Sequence, residues 1–564
     1  MSEKEISGYE CKHAIYVKGT PPDKGHTPDD MIFIKERIHY ADGTTEPNVR
    51  LIKNFKRPFW VTKPGFRNHE EKKEWEDIEK LDRYECTQAE LEKRIKKALN
   101  MFTPMGGLRK LARSPYLYGA DITPTALIKR KYMDRYPEAV SNNTVAVLDI
   151  ETDVVHGTDD PILISVTFKD KAIIAGVDWF FKGIDDPQKR LKEHFYTRLK
   201  ETAQERNISL EVEIKDNIVD AIKAVIDKCH QWKPDFLSVW NINFDVPYII
   251  RTLEKYGADP GDIFSDPKVP KEFRKLWYKE GPSKKVTANG REEPLHWIDR
   301  WHTCFVPASF YLIDQAAVFR RLRIAKGKEP SYALDAILTK YAGIKKLKNE
   351  KADQMSDFEW HIYMQQNEPL EYAIYNLYDC ISCEILDEQP KVGDLRQTIS
   401  TQCGHSDYDK FSSQPRRTVD DLHFLCLEHG KVIATTSDQL KTEWDDLVVS
   451  TSNWIVTLPA HLVADNGIKV IEEAEDLRTM IRTGVYDLDV TSAYPSGEDI
   501  LNCSKETTVA EIVKIEGVPH ELQRAEGINL TAGTTNATEI CSTIMGAPTF
   551  EQLLDDLEKN GLEQ

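Results

Sequence analysis

One short segment constrains the fold more than any other. VAVLDIET, residues 145–152, is an apolar run that ends in two carboxylates. Val145, Val147, Leu148 and Ile150 give it the composition of a strand buried in a sheet. Asp149 and Glu151 stand two apart, and side chains at i and i+2 share one strand face. Two acids on one face of a buried strand cost free energy unless cations neutralise them. The segment therefore predicts either a strand running out into solvent or a sheet with a cation site at the strand's end.

The surrounding pattern favours a sheet. ILISVTF, KAIIAGV and DFLSVWN read as further strands, and NIVDAIKAVIDKCHQWKP carries Ile218, Ile222, Val225 and Ile226 as a helical stripe. VPYIIRTLEKYG reads as a helix ending at Gly257, and NEPLEYAIYNLYDCISCEILDE as a helix begun by Asn367 and Pro369. The region is α/β. Residues 1 to about 140 are mixed: HAIYVKG and DMIFIKERIHY read as strands, with more expected in EPNVRLIKNFKRPFWVTKPG. EKKEWEDIEKLDRYECTQAELEKRIKKALNMF reads as helix with a break near Cys86 and Thr87. The whole is α+β, without an internal repeat.

Three other chemical residues accompany the first pair. Asp245, in WNINFDVPYII, follows a strand and precedes an apolar helix, where it reads equally as a helix N-cap and as a metal ligand. Tyr375 and Asp379 are four apart on a predicted helix and so share one face, beside a packing stripe of Leu370, Ile374, Leu377, Ile381 and Ile385. Asn241 and Phe244 lie near Asp245, suited to contact a ribose or stack on a base. Oxygen ligands gathered at one point hold divalent metals, and a metal pair cleaves phosphodiesters.

Composition sets limits. At 564 residues the chain is expected to form three or four domains. A net charge of −18 argues against a protein that coats duplex DNA over its whole surface. Basic clusters at 129–136, 320–328 and 345–351 read either as solvated helix faces or as local contacts to nucleic acid. Ten cysteines lack a spacing framework, and the single CxxC, Cys380 and Cys383, reads as reduced buried thiols rather than a zinc site. No apolar run approaches a membrane span and no signal-peptide core is visible, so a cytoplasmic protein without membrane contact is expected.

The order of these elements (strand DxE, loop–FD–helix, helix YxxxD) resembles the three exonuclease motifs of the DEDDy class of 3′–5′ exonucleases. The resemblance implies a ribonuclease-H-like domain holding two magnesium or manganese ions on Asp149, Glu151, Asp245 and Asp379, with Tyr375 positioning a water. WNINFD is one residue short between its asparagine and Phe-Asp, which leaves Asn241 and Asn243 both open for the second motif. Further on, YDLDVTSAYPS resembles motif A of the family B DNA polymerase palm, with Ala493 where leucine is usual. By position this implies Asp489 as a catalytic metal ligand, a turn through Ser492 and Ala493 offering backbone N–H groups to a triphosphate, and Tyr494 stacking under the sugar. SYALDAILTKYAG and RTVDDLHFLCLEHGKVIATTS also resemble family segments, the latter as found in tailed-phage replicative enzymes, so the likeness runs from about 115 to 505.

The domain division implied is 1–140 N-terminal, 141–390 exonuclease, 391–470 a connector returning to the N-terminal domain and entering the palm, and 471–564 an incomplete palm with the start of the fingers. The fingers motif K-x₃-N-x-x-Y-G and the palm hairpin Y-x-D-T-D-S do not follow Ser496. The expectation is the N-terminal part of a replicative DNA-directed DNA polymerase that removes mispaired 3′-terminal nucleotides but does not extend a primer alone. Its implied partners are primer-template DNA, single-stranded 3′ ends, a sliding clamp, and dNTP only with a complementing chain. A split enzyme, a truncated one and a degenerate palm remain open, and residues 440–564 are expected to expose apolar surface for a partner in the split case. Rival readings are a stand-alone DEDDy exonuclease and a non-catalytic replisome scaffold.

Overall fold

The computed structural model describes residues 4–20, 28–70, 72–101, 107–286, 291–347, 355–437, 528–530 and 533–535. One compact unit comprises residues 1–285 and 292–438; residues 286–291 and 439–564 form a second, whose described part includes a short antiparallel pair, Ile528–Leu530 with Gly533–Thr535. The chain is mixed α/β.

The first unit is organised on a six-stranded sheet. Its spatial order is Ser209–Lys215, Lys171–Val177, Pro161–Phe168, Val145–Thr152, Phe236–Val239 and Tyr311–Asp314. Val145–Thr152 therefore lies inside the sheet, antiparallel to Pro161–Phe168 and parallel to Phe236–Val239. The apolar run of residues 162–168 is buried throughout, as an interior strand covered on both faces requires. Two strands had no clear sequence signal: Ser209–Lys215 alternates with charges at an edge, and Tyr311–Asp314 is only four residues long.

Helices cover the sheet. Ile218–Trp232 buries Ile218, Ile222, Val225 and Ile226 against Pro161–Phe168 and Lys171–Val177. The twenty-residue helix Pro369–Glu388 packs across Val145–Thr152 and Pro161–Phe168, burying Ile374, Leu377 and Ile381. Proline at its first turn supplies the preset φ and lacks only an N–H that would have no helical partner.

The N-terminal part adds two antiparallel three-stranded sheets. Ile6–Lys18, Asp30–Tyr40 and Thr45–Lys53 form one; Leu81–Cys86, Arg57–Thr62 and Leu117–Tyr118 form the other. Here the structure corrects the sequence reading. Residues 75–86, read as helix, form the strands Trp75–Asp77 and Leu81–Cys86, and helix is confined to Leu91–Ala98. The charge-rich composition favours a helix, but pairing with Arg57–Thr62 buries Leu81 and Cys86 and overrides that propensity. After the helix Gln414–Glu428 the chain returns to this region, where Lys431–Ile433 pairs with Trp75–Asp77.

Candidate metal centre

The four acids come from three elements. Asp149 and Glu151 project from Val145–Thr152, Asp245 from the first turns of the helix Ile242–Lys255, and Asp379 from Pro369–Glu388. Glu151, Asp245 and Asp379 are buried, and Asp149 is half-buried. Asp149 lies within electrostatic reach of the other three. The Asp149 carboxyl is held well above its usual range, first by burial and then by the charges of Asp245, Asp379 and Glu151. Burial likewise lifts Glu151 and Asp245 to about 8, with Asp379 adding to the rise at Glu151 and Asp314 to that at Asp245.

The helix bearing Asp245 begins earlier than the apolar pattern suggested. Residue 241 is the cap position, and the Asn241 side chain makes no capping bond. Asp314, at the end of the neighbouring strand, accepts the Ile242 N–H at 3.1 Å and the Ala317 N–H at 2.7 Å, serving two helix starts. Asp245 is thus no N-cap, which corrects that reading. Its carboxylate turns to the sheet and accepts the Ile150 N–H at 3.3 Å. Asn243 accepts a hydrogen bond from the Tyr278 hydroxyl at 2.9 Å. Phe244 remains exposed, its ring 4.7 Å from that of Tyr248.

Pro369–Glu388 supplies more than its two predicted residues. Asn376 donates to Asp149 Oδ2 at 2.7 Å while its own carbonyl accepts from the Ser165 hydroxyl at 2.6 Å. The Tyr372 hydroxyl donates to Glu151 Oε2 at 2.5 Å. That hydroxyl accepts from Gln365 Nε2 at 3.2 Å and meets His361 Nδ1 at 2.8 Å. Gln365 also donates to the Thr152 carbonyl at 2.7 Å, fastening the helix Asp357–Asn367 to the end of the strand. Tyr372, Asn376 and Asp379 recur at helical spacing, so the periodicity that paired Tyr375 with Asp379 also marks the two supporting residues.

Lys346 is the residue that sequence reasoning missed most consequentially, because it lies in a basic cluster read as a surface feature. Its ammonium donates to Asp379 Oδ2 at 2.5 Å and to the Tyr375 hydroxyl at 2.8 Å. Its charge opposes the rise in pKa at each of the four acids. Among the described residues no three His, Cys, Asp or Glu side chains stand in a ready metal-holding arrangement. Asp379 is instead engaged by Lys346. The donor chemistry nevertheless suits a hard divalent cation: every candidate ligand is a carboxylate oxygen, and Asp379 Oδ1 is buried without a hydrogen-bond partner. Cys380 and Cys383 are free and buried, their thiols pushed far above the usual range by burial.

The predicted palm residues Asp489, Ser492, Ala493 and Tyr494 lie outside the described residues. No protein-family model matches the chain, and no curated protein matches it. No helix among the described residues is long and apolar enough to cross a membrane.

Proposed function

We propose that this chain is a metal-dependent 3′–5′ exonuclease of ribonuclease-H-like fold, forming the N-terminal part of a family B replicative DNA polymerase. The observation that carries the reading is that four carboxylates from three elements share one buried field, in which Lys346 is the one lysine among the described residues that opposes their charge. A purely structural cluster would be matched charge for charge. The sheet supports the same reading. Its strands from Val145 onward run in the spatial order fourth, third, second, first, fifth, sixth, with the second antiparallel to both its neighbours and the other pairings parallel.

Asp149, Glu151, Asp245 and Asp379 would hold magnesium or manganese. Bound there, the ions would polarise a phosphodiester and offset charge on the attacking and leaving oxygens. The protein's own contribution is positioning. Asn376 and Tyr372 fix the rotamers of Asp149 and Glu151, and Tyr375 offers a phenol beside Asp379 to orient a water. Exposed Phe244 provides a ring on which an unpaired base can stack.

The test is cleavage of 3′-labelled DNA, paired and unpaired at the end, by the full chain in magnesium. Single-strand-preferring removal of 3′ nucleotides is expected, lowered on the order of a thousandfold by Asp149→Ala with Glu151→Ala. Undiminished cleavage by that double variant, or none by the wild type, would refute the nuclease. Primer extension only after addition of a chain carrying the fingers and palm-hairpin motifs would support the polymerase half; no extension with such a chain would leave a stand-alone exonuclease.

A further inference from the structure

We infer that Lys346 is a displaceable internal counter-ion, whose ammonium holds Asp379 until a divalent cation takes that carboxylate. The inference rests on the metal-site reading above and adds a competition within it. The charge of Lys346 reaches all four acids, yet its hydrogen bond goes to Asp379 alone among them. The contact is a single N–H donated to one carboxylate oxygen, while the other oxygen of Asp379 is buried and unpartnered.

The way out is also built in. The Lys346 side chain is about a quarter exposed (27%), against 7% for Asp379. Its backbone N–H is fixed separately to Asp335 Oδ1 at 2.9 Å. The ammonium can therefore swing toward water on its flexible stem while its main chain stays anchored. Withdrawal would free two groups together, because the same ammonium holds the Tyr375 hydroxyl. Lysine thus lends the acids a cation without the two-pronged lock that an arginine would impose.

Manganese binding to the full chain tests this directly, by calorimetry or by the spin-resonance signal of the free ion, without recourse to activity. Lys346→Met is expected to tighten manganese by roughly tenfold, the scale of one lost charge-assisted hydrogen bond. The same variant should melt lower than wild type in chelator and recover in saturating manganese. Lys345→Met, at the exposed neighbour, should change neither quantity. A permanent structural pair predicts the opposite: lower melting in both buffers and manganese affinity unchanged or weaker. That result overturns the proposal.

A second measurement needs no variant. Acetylation of wild-type Lys346, followed by peptide mass spectrometry, should rise severalfold when manganese is added; an unchanged or lower rate overturns the counter-ion. Failure of the underlying site looks different. Wild type would then bind no manganese that Asp149→Ala and Asp379→Ala remove, whereas failure of the inference alone leaves that binding intact and indifferent to Lys346→Met.

Discussion

Two regions of the first unit bury charge and do so in opposite ways. Around the strand Asp30–Tyr40, buried cations are each answered locally. Arg37 pairs with Asp235, Lys12 with Glu10 at 2.5 Å, and Lys35 donates to the Lys233 carbonyl at 2.7 Å. Asp235 also accepts the Thr144 N–H at 2.8 Å, tying the N-terminal sheet to the start of the central strand. At the far end of that strand, Asp149, Glu151, Asp245 and Asp379 share one lysine among the described residues. The first region is arranged for mutual satisfaction. The second crowds acids together in a buried place, which lowers stability as they ionise.

The largest expected effect lies in the matched region. Asp235→Ala leaves the Arg37 guanidinium buried and unpaired, and should cost about 3–5 kcal/mol in urea unfolding. A loss under 1 kcal/mol would break the contrast.

pH separates the regions with opposite signs. Glu151 and Asp245 have folded pKa values raised to about 8, so their contribution is fully present below the unfolded range near 4 and is lost as pH rises through about 8. In chelator, stability should therefore fall steadily between pH 5 and pH 8 as this pair ionises, with Asp149, Asp379, Asp314, Lys346 and His361 as the titratable groups that face it. Lys35 is lowered to about 7 by burial, so its contribution runs the other way: it is lost as pH falls through about 7 and recovers toward 10. Melting curves of Glu151→Gln and Lys35→Met against wild type across this range should remove the two slopes separately. Parallel curves for both variants would erase the distinction.

The smallest effect is the most diagnostic. Asp149→Asn keeps an oxygen for Asn376 while removing one crowded charge, and at pH 8 in chelator should raise stability by about 1 kcal/mol. Destabilisation there would mean that the acid cluster is matched after all.

Much of the sheet could be read from residues alone. The apolar runs at 145–152, 162–168 and 171–177 were long enough to declare themselves, and the stripe at Ile218, Ile222, Val225 and Ile226 has one helical explanation. Tyr311–Asp314 could not be read, because four buried residues carry no period. Residues 75–86 were misread because their strand character comes from the partner strand rather than from their own composition.

The site divides along the same line. Chain chemistry alone determined that Asp149 and Glu151 share a strand face and that Tyr375 and Asp379 share a helix face, since those relations follow from local repeat geometry. Only the tertiary structure decided that these faces meet Asp245, that Asp314 rather than Asp245 caps the adjoining helix, and that Lys346 leaves a basic surface cluster to sit on Asp379. Those relations join residues far apart in sequence, and electrostatic fields act through space without regard to the order of the chain.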